Sequence, residues 1–296
     1  MRAQVTLLPT ESKKLISKAV AKMDVVRRSF AEGIIVLHPS SSTYFIAEEL
    51  LGKKPDTNFW VCGIICSKGT CVEMGAALGK EAIVAQQPEE SAIHNPLAFR
   101  MSWVIRGGEL ASGISLAELL DQMGPEDVYI KGVNALDVDG NVGVLIGNPI
   151  EGGTIGRVTA KARQRGFHLI FPVGLEKLIP MPIKYAVKEA LKNEYKYSMG
   201  VACGLFPCDR GLVITELKAI EILANATAIP ISAGGIGGAE GAITMIIKGD
   251  DEQVNRAVKY IEECKAARLP PVRTFSCHDC PFVLCEFPLR GKPWII

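Results

Sequence analysis

Gly33-Ile-Ile-Val-Leu-His-Pro-Ser-Ser-Ser-Thr43 is the stretch that decides the fold of this chain. Its apolar part, Ile34 to Leu37, is typical of a short buried strand, and the run from Tyr44 to Leu51 has the pattern of a helix that stops at Gly52. Four hydroxyl-bearing residues, 40–43, lie between the two. The order strand, hydroxyl-rich loop, helix is the first unit of a βα protein, so we predict the α/β class.

Strands and helices alternate along the chain up to residue 182. Further strands are predicted at 59–66, 82–85, 102–106, 127–130, 142–146 and 167–173. This alternation predicts a mostly parallel sheet flanked by helices. After the proline-bearing stretch 179–182 the order becomes strand, helix, strand, strand, helix, strand, which is that of a ferredoxin-like unit. We therefore predict an α/β domain at 1–182 and a smaller α+β, ferredoxin-like domain with a cysteine-containing tail at 183–296.

Composition narrows the partners and the compartment. The chain has 296 residues, 48% of them hydrophobic, and a formal net charge of +1. Bulk charge therefore attracts neither nucleic acid nor an anionic membrane, and no apolar run approaches the roughly 20 residues of a membrane helix. The N-terminus lacks the apolar region of a signal peptide, and nine cysteines without one favour a reducing compartment. We expect a cytoplasmic protein with a small anionic ligand, and the sequence leaves a homo-oligomer open.

The hydroxyl-rich loop is a candidate anion site. Ser41, Ser42 and Thr43 stand at the start of a predicted helix. Amide groups at a helix N-terminus, together with hydroxyl groups, suit a phosphate or a carboxylate. The alternative interpretation is that these residues only cap the helix.

Polar residues after the later strands are further candidates. Asn134 and Asp137 follow one central strand, where open α/β sheets bind ligands, although a hairpin turn explains the same residues. Gly147 and Asn148 follow the next strand, and Lys177 could neutralise an anion or lie on the surface. Glu151 and Asp137 are weak candidates for an acid, base or nucleophile, and a solvated carboxylate is the simpler interpretation. The catalytic residues otherwise stay unknown.

The C-terminal cysteines could bind a metal. Cys277, Cys280 and Cys285 have the spacing C-x2-C-x4-C, and a C-x2-C pair places two thiolates around one metal. Zinc and an iron–sulfur cluster are both compatible with this pattern. Buried free thiols are the alternative.

Two stretches carry a resemblance to a known superfamily. Gly33 to Thr43, followed by Phe45-Ile-Ala-Glu-Glu-Leu50, resembles the strand–loop–helix start of the NagB/RpiA/CoA-transferase-like superfamily. The segment from Lys131-Gly-Val-Asn-Ala-Leu-Asp-Val-Asp-Gly140 to Val173-Gly-Leu-Glu-Lys177 is similar to its LUD-type (lactate utilisation) branch. The resemblance covers residues 10–180. It implies that the hydroxyl-rich loop, residues 40–43, holds a phosphate. It also supports a metal site in the cysteine-rich tail.

These patterns lead to one functional hypothesis and two alternatives. We expect an enzyme that binds a sugar phosphate, a hydroxy acid or an acyl-CoA in a cleft at the carboxyl ends of the strands. The first alternative is a non-catalytic ligand-binding or regulatory protein. The second is a redox accessory protein with a C-terminal metal or iron–sulfur site. The sequence alone leaves open whether the protein is catalytic.

Overall fold

The computed structural model describes residues 1–55, 65–66, 70–72, 102–111, 116–147, 152–190, 195, 198, 202–272 and 274–277. The helices in these ranges are α1 (Pro9–Lys22), α2 (Asp24–Glu32), α3 (Ser41–Leu51), α4 (Leu116–Gln122), α5 (Gly153–Arg165), α6 (Ile183–Ala190), α7 (Glu216–Ala224) and α8 (Asp251–Cys264). The strands are β1 (Arg2–Leu7), β2 (Ile34–Leu37), β3 (Thr70–Val72), β4 (Trp103–Arg106), β5 (Glu109–Ala111), β6 (Val128–Ile130), β7 (Ala135–Leu136), β8 (Val142–Ile146), β9 (His168–Pro172), β10 (Gly204–Cys208), β11 (Leu212–Ile214), β12 (Thr227–Ala233), β13 (Ile243–Lys248) and β14 (Thr274–Ser276).

The main sheet has six strands in the order β11-β9-β6-β2-β4-β5. The pairs β11/β9, β9/β6 and β6/β2 are parallel, and β4 is antiparallel to both of its neighbours. Five of the six strands therefore run in the same direction. The predicted α/β class, with a mostly parallel sheet flanked by helices, is confirmed, and smaller antiparallel sheets accompany it.

Local sequence explains where the helices begin and end. Helix α3 starts after Ser40, whose side chain accepts a hydrogen bond from the Thr43 amide, and it stops at Gly52, which has the left-handed φ of 65° that glycine allows. At the start of α8, Asp250 and Gln253 exchange hydrogen bonds between side chain and backbone, as in a capping box. The hydroxyl or carboxylate at each start satisfies an amide that the helix itself leaves unpaired.

Two apolar cores cover the two faces of the main sheet. One core contains buried residues of α1, α3, α7 and α8, such as Phe45 and Ile46. The other contains buried residues of α4, α5 and the small sheet β10-β8-β7, such as Ile155 and Val144. A fully buried side chain of this size contributes about 2 kcal/mol of transfer free energy, so both faces add to stability.

The antiparallel sheet β1-β13-β12 differs from the sheet that the predicted βαββαβ order implies. Strands β12 and β13 pair as a hairpin, but the third strand is β1, from the N-terminus, with Leu7 opposite Ile243. Strand β11 joins the main sheet beside β9, and β14 pairs with β3. The alternation of Ala3, Val5 and Leu7 explains β1, because it gives the strand a side that packs on the core. Strand pairing therefore crosses the predicted boundary at residue 182 in the main sheet and in the sheet β1-β13-β12.

Two remaining predictions concern strands and membrane helices. The predicted strands at 59–66 and 82–85 lie outside the described residues, except for 65–66. Among the helices that the structure describes, none is both long enough and apolar enough to cross a lipid bilayer.

Candidate functional site

The neighbouring parallel strands β2 and β6 end side by side, and the connections that follow them leave to opposite faces of the sheet. After β2 the chain enters α3, whose Phe45 packs in the core on one face of the sheet. After β6 it passes through β7 and β8 into α5, whose Ile155 packs on the opposite face. Where the connections of adjacent parallel strands leave to opposite faces, open α/β sheets bind their ligands. We call the place formed by residues 38–42 and 131–134, where this rule predicts a ligand, the β2–β6 crevice.

Residues 40–43, which we call the serine loop, form one wall of the crevice. They cap α3 and supply its first turn. The Ser40 hydroxyl accepts a 3.2 Å hydrogen bond from the Thr43 amide, and the Thr43 hydroxyl donates to the His38 carbonyl at 2.5 Å. Ser40 and Thr43 therefore cap α3, as the alternative interpretation of this loop requires. Ser41 and Ser42 follow the cap in the first helical turn, where amide groups have no acceptor within the helix itself.

The loop after β6 forms the other wall and lies against the serine loop. A Cβ atom added to Gly132 would lie 3.0 Å from the Ser40 hydroxyl and 3.6 Å from the Ser42 hydroxyl. The next residue, Val133, accepts a 2.7 Å hydrogen bond from the ammonium group of Lys177. The structure thus brings together the serine loop, the loop that carries Asn134, and Lys177. Glycine at 132 permits this close approach, which a larger residue would hinder.

Sequence reasoning missed a cluster of Lys131, His38 and Tyr129 beside the crevice. Lys131 is 8% exposed, and the Tyr129 hydroxyl lies 3.3 Å from Nδ1 of His38. Burial, and then the charge of Lys131, lowers the pKa of His38 well below its ordinary value, while burial raises that of Tyr129. A neutral imidazole and a neutral phenol thus lie near one buried ammonium group. Their positions in the sequence could have indicated this cluster, because His38 and Lys131 are the first residues after β2 and β6.

Four charged side chains lie in or beside the turn Leu175–Lys177 that follows β9. We call them the charged cluster: Glu176 and Lys177 of the turn, with Lys13 and Glu216. The Lys13 ammonium group lies 3.6 Å from the Glu176 carboxylate. The Leu175 amide donates to both oxygens of Glu216, at 3.1 and 3.0 Å. Burial raises the pKa of Glu216 to about 7 and lowers the pKa of Lys177, because a low-dielectric environment disfavours both charged forms.

Asp137 and Asn134 hold the hairpin of β7 and β8. The Asp137 carboxylate accepts hydrogen bonds from the amides of Asp139, Asn141 and Ile183 at 2.9–3.0 Å, and from the Asn141 side chain. Burial raises the pKa of Asp137, but hydrogen bonds from Ile183 and Asn141 outweigh it and leave the pKa lowered. The Asn134 side-chain oxygen accepts from the Leu145 amide at 3.0 Å. These contacts give both residues the turn-forming role that was the alternative to ligand contact.

The remaining predicted site residues lie apart from this cluster or outside the described ranges. Gly147 is exposed at the end of β8, and Asn148 and Glu151 lie outside the described residues. Cys277 is half-buried directly after β14, whereas Cys280 and Cys285 are not among the described residues. In the part of the chain that the structure describes, no three His, Cys, Asp or Glu side chains are grouped so that they could hold a metal ion. The C-terminal metal site stays a prediction.

Fold and site together define an α/β protein with a group of polar side chains at the carboxyl ends of its parallel strands. Compared with known proteins, the chain matches no family model, no curated protein and no solved structure. The resemblance to the NagB/RpiA/CoA-transferase-like superfamily therefore stays a prediction.

Proposed function

We propose that this protein is an enzyme that binds a small anionic metabolite in the β2–β6 crevice. The observation that carries the proposal is that the N-terminus of α3 lies against the loop that begins with the buried Lys131. The loop that begins with Lys131 approaches the start of α3 through Gly132 and Ser40. A helix N-terminus offers amide groups and a partial positive charge, and a buried ammonium group adds a full charge, so the two together favour an anion.

The hydroxyl groups and His38 give the bound anion an environment suited to chemistry. Ser41 and Ser42 stand in the first turn of α3, beside the amides that would contact the anion. His38 is neutral near pH 7 because burial and Lys131 lower its pKa. A neutral imidazole can donate or accept a proton, and Lys131 can stabilise a developing oxyanion. Proton transfer next to a carbonyl group of the bound metabolite is the reaction that this set of residues fits best.

The resemblance favours one class of substrate. The similarity of Gly33 to Thr43 to the phosphate loop of the NagB/RpiA/CoA-transferase-like superfamily supports a sugar phosphate before a hydroxy acid or an acyl-CoA. Superfamily likeness indicates a fold better than it indicates a reaction, so binding must be tested before turnover.

Calorimetric titration with sulfate and with a pentose phosphate tests the proposal. We expect both anions to bind the wild-type protein. Their affinity for Lys131→Met should be at least about ten-fold lower, because the bound anion would lose the positive charge of the Lys131 ammonium group. Lys218→Met is the matched control, because Lys218 is exposed on α7 and pairs with Glu221. Equal affinity in both variants would contradict the proposed site.

Exchange of substrate hydrogen with deuterated water separates an enzyme from a binding protein. We expect the wild-type protein to exchange the hydrogen next to the carbonyl of a bound sugar phosphate, and His38→Gln to lose this exchange while still binding sulfate. Binding without exchange of any tested hydrogen would favour the non-catalytic ligand-binding protein.

A further inference from the structure

We propose that Glu216 is a positioning residue for the anion site, acting through the turn Leu175–Lys177 and the loop 131–134. This inference rests on the proposed function, since it concerns the same crevice. Glu216 contacts the backbone of the turn at Leu175, and we do not place it among the groups that would contact the anion. Its effect passes through three contacts, each between a different pair of elements.

The first contact fixes the turn. Glu216 is the first residue of α7 and is fully buried. Both of its carboxylate oxygens accept from the Leu175 amide, at 3.1 and 3.0 Å. Leu175 begins the turn that follows β9, so the backbone there is tied to the start of α7. While Glu216 is ionised, these hydrogen bonds are charge-assisted and roughly twice as strong as neutral ones.

The second and third contacts carry the turn to the crevice. Lys177, at the other end of the turn, donates to the Val133 carbonyl at 2.7 Å. Val133 follows Gly132, whose backbone lies against Ser40 at the start of α3. If the turn moved, the Lys177 ammonium group would leave Val133, and the wall of the crevice formed by 131–134 would lose this support.

The charges that face Glu216 make its role depend on protonation. From α1 it faces Ser12, and from the turn it faces Glu176 and Lys177, while Lys13 of α1 pairs with Glu176. With both carboxylates ionised, the two lysines of the charged cluster are balanced. Protonation of Glu216 leaves the cluster with one excess positive charge beside the crevice. Burial raises the pKa of Glu216 to about 7, so this change falls near neutral pH.

The protonation state and the positioning role can be separated with two variants. Glu216→Gln keeps a side-chain oxygen that can accept from the Leu175 amide but removes the charge. Glu216→Ala removes both. Glu221→Gln is the matched control, because Glu221 lies on the same helix, exposed, and pairs with Lys218.

Sulfate affinity measured between pH 6 and pH 8 is the test, because sulfate keeps its charge over this range. We expect the wild-type protein to bind sulfate about three- to ten-fold more tightly at the acid end, as one buried charge is removed near the site. Glu216→Gln should bind at every pH as the wild type does at low pH, and Glu216→Ala should bind at least about ten-fold more weakly throughout. A pH profile in Glu216→Gln that matches the wild type would overturn the inference.

Hydrogen exchange at the Leu175 amide separates failure of this inference from failure of the proposed function. We expect this amide to be protected in the wild type and in Glu216→Gln, and to exchange faster in Glu216→Ala. Absence of sulfate binding with this pattern intact would reject the anion site but keep the positioning of the turn. Equal protection in all three proteins would reject the positioning role itself.

Discussion

The ammonium group of Lys177 donates a 2.7 Å hydrogen bond to the carbonyl oxygen of Val133. Lys177 ends the turn after β9, and Val133 lies in the loop after the adjacent strand β6, so this bond ties two neighbouring strand ends together. Burial lowers the pKa of Lys177, which is consistent with an ammonium group that is largely withdrawn from water. The contact therefore makes the geometry of the crevice depend on a residue outside its walls.

Replacing Lys177 by Met should loosen the loop 131–134. The variant loses a hydrogen bond from a charged donor and leaves the Val133 carbonyl without it, which we expect to lower the free energy of unfolding by about 1–3 kcal/mol. Urea unfolding measures this change. Lys184→Met is the control, since Lys184 is exposed on α6 and should tolerate the substitution. Equal stability of the two variants would mean that the bond to Val133 adds nothing to the fold.

Gly132 allows a close contact that an added methyl group would disturb. In Gly132→Ala the new Cβ atom would lie 3.0 Å from the Ser40 hydroxyl, so the hydroxyl or the loop must shift by a few tenths of an ångström. We expect a loss of about 1 kcal/mol in unfolding free energy and weaker sulfate binding, because the shift occurs between the two walls of the crevice. Thermal unfolding and calorimetric titration measure the two effects.

Gly124→Ala provides the comparison for Gly132→Ala. A Cβ atom at Gly124 would meet nothing within 4 Å, and its backbone is not in the left-handed region. We expect this variant to bind sulfate as the wild type does. If Gly132→Ala also binds like the wild type, the proposed crevice does not include the loop 131–134.

Features set by adjacent residues could be predicted from the sequence. The pattern of Gly33 to Gly52 correctly predicted β2 and the end of α3 at Gly52, since strand composition and a terminal glycine are local signals. The predicted start of the helix at Tyr44 was wrong, because α3 begins at Ser41 and takes most of the hydroxyl-bearing residues into its first turn. The cap itself was foreseen only as an alternative, because sequence does not say which hydroxyl of the loop would turn towards the backbone. The structure assigns that part to Ser40 and Thr43.

Features set by distant residues could not be predicted. The pairing of β1 with β13 joins Leu7 to Ile243, and no local pattern specifies such a partner. The same limit hid Lys131 and His38, because their proximity depends on β2 lying beside β6 in the sheet. Asp137 was placed in a candidate site by its position after a strand, but one of its donors is the Ile183 amide on a helix much later in the chain. Its role as an anchor followed only from that contact.

Asp137→Asn should destabilise the hairpin of β7 and β8 and the start of α6. The amide group of the new side chain would face backbone donors that the carboxylate now accepts, so we expect a loss of about 2–3 kcal/mol near pH 7. The folded state lowers the pKa of Asp137, so its contribution is present above the unfolded pKa and is lost as pH falls through the folded pKa. The wild type should therefore lose stability as the solution is acidified below about pH 4, and the variant should lose less.

Unfolding free energies at several pH values below neutrality test this prediction. Asp139→Asn, an exposed change in the same turn, should behave as the wild type does. A variant at Asp137 that keeps the full acid dependence of the wild type would assign that dependence to other carboxylates.

Glu216 should give stability a pH dependence of the opposite sign. The folded protein raises the pKa of Glu216 from the ordinary 4.5 to about 7, so between these values the folded state binds a proton that the unfolded state has released. The free energy of unfolding should therefore fall as pH rises through this window, by about 3 kcal/mol in total. Glu216→Gln cannot ionise and should lack this decline, so it should be the more stable protein at pH 8, provided that its side chain keeps the contact with Leu175.

Chemical unfolding of both proteins at pH 5, 6, 7 and 8 measures the difference, with Glu221→Gln as the exposed control on the same helix. Parallel curves for the wild type and Glu216→Gln would show that Glu216 is already ionised at pH 5, and the pH-dependent positioning of the turn would then have to be abandoned.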